Sequence, residues 1–198
     1  MNQTDAMARA ARAKKVTWVG FWVNVVLSVA KIIAGIVGRS GAMIADGVHS
    51  ISDFVTDIIV IVFIGVSAKG ENTRFRYGHG KFETFATMLI SFALFAVAVG
   101  LFWTSFSQIV DALNGKVLPR PEMVALVMAF VSVVAKEWLF HYTRVAGEQM
   151  NSMALVANAW HHRSDAFSSI AVLVGIGCAM FLGERWRVLD PIAAATVS

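Results

Sequence analysis

The chain has 198 residues, of which 57% are hydrophobic and only 15% charged; soluble domains carry roughly 25% charge. That composition, with a mean hydropathy of +0.65, excludes an ordinary soluble globule and a disordered chain, and a single cysteine, Cys178, excludes an intrachain disulfide framework or a thiolate metal cluster. The net charge of +4 is small and interleaved with apolar runs, which fits membrane orientation rather than nucleic-acid binding.

Apolar runs long enough to cross a bilayer, which takes about 20 helical residues, lie at about residues 16–37, 42–68, 82–110, 122–142 and 152–182. A sixth begins near Val188 and stops at Ser198. The expected fold is therefore all-α: a polytopic transmembrane helix bundle of six-span type with the sixth span truncated. No run has the form of a cleaved signal peptide. Arg9, Arg12, Lys14 and Lys15 precede the first span. They share a side with Lys69, Arg74, Arg76, Lys81 and Arg144 and outnumber Arg39, Lys116, Arg120, Arg185 and Arg187 on the other. This asymmetry predicts a cytoplasmic N-terminus. The default location is a bacterial cytoplasmic (inner) membrane, because no organelle-targeting segment is evident.

Ionisable groups inside a bilayer are costly and mark function. In the second span Asp46, His49, Asp53 and Asp57 fall at roughly 0°, 300°, 340° and 20° around a helix, one narrow stripe. In the fifth, Asn158, His161 and Asp165 repeat the spacing of Asp46, His49 and Asp53. Each span thus carries an H-x-x-x-D pair on one face. One such pair is as readily a packing contact as a ligand pair. Two, each with a further polar residue three positions earlier, favour a site of two imidazoles and two carboxylates, the four N/O ligands that tetrahedral Zn²⁺ accepts. At 1.5 Å per residue, His49 and Asp53 lie about 10 and 16 Å below the outer end of their span, and His161 and Asp165 about 14 and 20 Å above the inner end of theirs. In a core of about 30 Å the pairs meet near the middle, the depth at which transporters hold substrate.

Other polar residues read less sharply. Asp46 and Asn158 either orient the histidines or cap and hydrate helix ends. Asp57 lies one turn inward of Asp53, on the inner route. His162 and Arg163 project from other faces and are expected to pair with acidic neighbours or another span. Lys136 and Glu137 read as a structural ion pair, and Lys31 as snorkelling or paired within the bundle. The methionines read as core fillers.

These residues bring out a resemblance. Ser40–Asp57 (SGAMIADGVHSISDFVTD), Arg76–Thr84 (RYGHGKFET), Lys136–Thr143 (KEWLFHYT), Ala157–Ser169 (ANAWHHRSDAFSS) and Leu189–Pro191 (LDP) together resemble the cation diffusion facilitator family of divalent-metal transporters, in wording closest to its iron/zinc branch. The resemblance covers essentially the whole chain as one cation-efflux transmembrane domain, 1–198. It implies six spans, a homodimer, exchange of a divalent cation for protons, and a metal site of His49, Asp53, His161 and Asp165. Some members hold a second metal before the third span. There this chain has His79, but Asn72 and Phe75 at the other matching places. The family's usual C-terminal cytosolic domain is expected to be absent.

The expected function is efflux of Zn²⁺, or alternatively Fe²⁺, in antiport with protons. The ion is substrate and no cofactor is expected. Imidazoles bind metal only when neutral, and an unperturbed one titrates at about pH 6.5, so protons and metal compete. An integral membrane metalloenzyme is the first rival; it lacks support from any H-E-x-x-H or G-x-S-x-G motif, and the chain is read as no enzyme. A non-transporting scaffold or inactive truncated relative is the second.

Overall fold

The computed structural model describes residues 3–52 and 80–197. Asp53, Asp57 and His79, with most of the second predicted span, lie outside the described residues. Regular structure among the described residues is entirely helical. α1 (Gln3–Val37) carries the basic N-terminal segment into the first span. α2 is described over residues 41–52. α3 (Gly80–Leu113), α4 (Met123–Gln149) and α5 (Met153–Phe181) follow, then a 3₁₀ turn (Glu184–Val188) and α6 (Leu189–Val197). Among the described residues four stretches are long and apolar enough to cross a membrane: Lys15–Val37, Phe95–Leu113, Met123–Gln149 and Leu155–Phe181.

Helices lie over the predicted first, third, fourth and fifth spans but differ from them in extent. α4 continues past residue 142 to Gln149. Its last turns are polar and so invisible to hydropathy, but Arg144 and Glu148 pair one turn apart at 2.7 Å and support the helix there. Asn151, with φ 49°, makes the turn, and Ser152 Oγ accepts from the Leu155 backbone N–H at 3.5 Å to start α5. This short turn lays α5 alongside α4.

The polarity of the bundle is that of a membrane protein. Trp22, Phe92, Phe102, Trp103, Phe130 and Phe167 are exposed, whereas Lys31, Asp46, Lys136 and Asp165 are buried. A chain in water would reverse that arrangement. The chain is an integral membrane protein of all-α type. Its core is made largely of small residues: Ala34, Ala42, Ala45, Ala125 and Ala129, with Met43, Val172 and Ile176 packed among them. Small side chains let helix backbones approach closely, the usual basis of packing in lipid. Gly47 is the clearest case. A Cβ there would lie 2.7 Å from Ile32 Cγ1 and 3.1 Å from its backbone nitrogen, so only glycine lets α2 sit this close to α1. The expectation that methionines fill the core holds for Met43. It fails for Met88, Met123 and Met153, which are exposed on the outward apolar surface, where a thioether faces lipid as readily as leucine does.

α6 is short but fixes the start of α2. Buried Asp190 accepts at Oδ1 from Ser40 Oγ (2.6 Å) and at Oδ2 from the Gly41 backbone N–H (2.8 Å). A carboxylate placed there satisfies an otherwise orphaned donor and complements the positive end of the helix. α2 is thereby held at one end by α6 and along one side by α1, which sets the face that carries Asp46.

Candidate metal centre and the ion pairs around it

Helix directions follow from contacts. α1 and α2 form a hairpin, with Ile32 against Gly47 and Gly35 against Ile44. α1 and α5 run the same way, since His162 packs beside Gly20 and Ser169 beside Lys31. α2 and α5 are therefore antiparallel, and the contact of Asp46 with Ser169 sets their register. His49 lies three residues on from Asp46, and Asp165 four back from Ser169. At 1.5 Å per residue both are about 5 Å along from that contact, at nearly equal depth.

Two buried ion pairs dominate this region. Lys31 Nζ meets Asp46 Oδ2 at 2.8 Å and donates to Ser50 Oγ (3.1 Å) and Ser169 Oγ (3.2 Å). Ser169 in turn donates to Asp46 Oδ2 at 3.1 Å, and Ser50 to the Asp46 carbonyl at 3.0 Å. The second pair is Lys136 Nζ to Asp165 Oδ2, at 2.6 Å. Ser132, on the same face of α4 as Lys136, lies 3.5 Å from Ser169. Four helices thus contribute to one polar seam through an apolar bundle.

The predicted site residues fall around this seam. Asp165 is buried, and its Oδ1 faces His161 Nε2 at 3.9 Å. The His161 ring is about half exposed, at 47%. His49 is partly buried and lines a small cavity of about 50 Å³ with Ser52, Ala98, Leu101 and Val197, toward α3 and α6. Of the predicted ligands, the described residues bring His161 and Asp165 together. Among the described residues no three of His, Cys, Asp and Glu gather within reach of one ion.

Several expectations need correction. Asp46 is the counter-ion of Lys31, a partner its spacing does not suggest. Asn158 lies beside His162 (Nδ2 to Nε2, 3.5 Å), four residues on along α5. Lys136 does not pair with Glu137. Neighbours on a helix point about 100° apart, so Lys136 turns inward to Asp165 while Glu137 meets His141 one turn on, at 3.3 Å. Lys31 pairs within the bundle, one of its two expected fates. His162 is buried against another span, as expected. Arg163 also reaches another span, stacking 4.6 Å over the Phe140 ring rather than meeting an acid. The hydroxyls of Ser50, Ser132 and Ser169 carry no signal of a buried role in the sequence, since serine is common in membrane helices. Charge matching held a signal for the second pair: two lysines deep in apolar runs demand two buried carboxylates.

Known proteins extend this picture. Residues 17–198 match the family described as the cation efflux transmembrane domain. The magnetosome protein MamB of Magnetospira sp. is 34% identical, the match covering 98% of this chain and 64% of that protein. The manganese efflux system protein MneP of Bacillus subtilis is also 34% identical, covering 98% of this chain and 65% of the relative. Mitochondrial metal transporter 1 of Saccharomyces cerevisiae is 33% identical over 93% of this chain and 39% of its own length. The chain spans about half the length of the curated relatives it matches.

Proposed function

The chain belongs to the cation diffusion facilitator family, and from that premise we propose that it moves a divalent metal cation, Zn²⁺ in the first instance and Fe²⁺ as the alternative, out across a membrane in exchange for protons. His49, Asp53, His161 and Asp165 are the ligands in this reading. The observation that carries it is the antiparallel register of α2 and α5, which sets His49 and Asp165 at nearly equal depth, with His161 3.9 Å from Asp165. Two imidazoles suit zinc and iron better than they suit manganese or magnesium, which prefer all-oxygen sites. The family name supports transport rather than catalysis.

Coupling follows from the ligands. A neutral imidazole binds metal and a protonated one does not. Where the site opens to the more acidic side, protons displace metal; where it opens to the other, metal displaces protons. Alternation between these openings gives export driven by proton entry. The working unit in this reading is a homodimer in a bacterial cytoplasmic membrane, with the N-terminus inside, as the basic loops suggest.

Zinc flux into proteoliposomes under an imposed pH gradient tests the proposal. The expected result is flux that rises with the gradient, and that an Asp53→Ala/Asp165→Ala double variant abolishes. Flux indifferent to the gradient contradicts proton exchange; flux undiminished in the variant contradicts the site. Running Mn²⁺ beside Zn²⁺ tests the choice of metal, with zinc expected to move faster.

A further inference from the structure

Lys136 has no role in the ligand set, yet it makes the shortest ion pair of the seam. Its Nζ lies 2.6 Å from Asp165 Oδ2, and both side chains are nearly enclosed, at 3% and 9% exposure. The other oxygen, Oδ1, faces His161 Nε2 at 3.9 Å. That is too long for a hydrogen bond. It is near the separation of about 3.4 Å between two ligand atoms that share one tetrahedral ion at bonds of about 2.1 Å. One carboxylate therefore stands between an ammonium and a candidate metal position.

Charge makes these two partners rivals. Lys31, Lys136, Asp46 and Asp165 sum to zero. A divalent ion at His161 and Asp165 adds two positive charges within a few ångströms of the Lys136 ammonium, in an interior that screens poorly. We infer that Lys136 and the transported cation are alternative partners of Asp165, so that Lys136 leaves Asp165 when metal loads and returns when metal is released. The inference rests on the metal-site reading above and adds to it a residue that sets affinity.

The geometry provides for the exchange. Lysine carries its charge on a flexible four-carbon stem. Ser132, one turn back on the same face of α4, offers a hydroxyl toward Ser169, a resting place for the displaced ammonium. On release, Lys136 restores a counter-charge to a carboxylate that would otherwise be left buried and unpaired. It keeps binding weak enough for the ion to leave. Lys136 acts through Asp165 and is a positioning residue, not a ligand.

The test measures Zn²⁺ binding to the purified full chain in detergent at constant pH by titration calorimetry, beside thermal unfolding with and without Zn²⁺. Lys136→Met and Lys136→Gln are compared with Asp165→Ala. Both Lys136 variants are expected to bind Zn²⁺ about tenfold more tightly, to lose thermal stability that Zn²⁺ restores, and to carry zinc more slowly in proteoliposomes. A residue that merely orients Asp165 behaves oppositely, its removal weakening binding by about 10–100-fold. Equal or weaker binding in the Lys136 variants, with binding lost in Asp165→Ala, overturns the inference and leaves the site standing. Undiminished binding in Asp165→Ala overturns the site itself. Lys136 variants that fail to fold even with Zn²⁺ also overturn the inference, because Lys136 is then a fixed structural counter-ion.

Discussion

Lys31 and Asp46 form a closed unit at the residue scale. The ammonium is matched by a carboxylate and two hydroxyls, and the carboxylate by the ammonium and Ser169. Nothing in the unit is left to water, which is what makes it tolerable in a bilayer. Removing one partner strands the other, a change that costs about 3–5 kcal/mol, whereas replacing both with apolar groups of similar size is close to neutral. Asp46→Ala is therefore expected to destabilise the protein by that amount, and Lys31→Met/Asp46→Leu to restore most of it, as followed by thermal unfolding in detergent. A double variant no more stable than Asp46→Ala contradicts the ion-pair account. Asp46 was legible in the sequence as a charge inside an apolar run. Its partner was not: helical periodicity gives the face of a residue but not which helix lies opposite, and Lys31 and Asp46 meet only because Gly47 brings α2 against α1.

Elements show the same division. Spans one, four and five were legible because length and hydropathy are properties of a helix by itself. The continuation of α4 to Gln149 was not, since it depends on paired charges such as Arg144 and Glu148. Nor was the use of α6 legible. Its short apolar run reads as an unfinished span, yet its Asp190 carries the start of α2. Asp190→Ala removes both hydrogen bonds and the carboxylate at the positive helix end, a cost of about 1–2 kcal/mol by analogy with lost helix caps. The expected outcome is a modest fall in thermal stability, accompanied by faster hydrogen exchange at the first amides of α2. Unchanged exchange there would show that α6 does not hold α2.

At the scale of the whole molecule, the bundle places its charges in a seam crossing α1, α2, α4 and α5 and turns its large apolar side chains outward. That inside-out polarity was fully legible in composition. The pairing of α2 with α5 was half legible: the repeated H-x-x-x-D spacing suggested it, and the contact between Asp46 and Ser169 supplies the register. The place of Lys136 in the seam was not, because it requires α4 and α5 to be seen together. In the proposed site His49 and His161, from different helices, ligate one divalent ion with aspartate oxygens. X-ray absorption of Zn²⁺ bound to the purified chain tests it most directly. The account predicts four nitrogen and oxygen neighbours at about 2.0–2.1 Å, with imidazole scattering that falls by half in His49→Ala and by half in His161→Ala. A sulfur neighbour, or a spectrum unchanged by both substitutions, would contradict it.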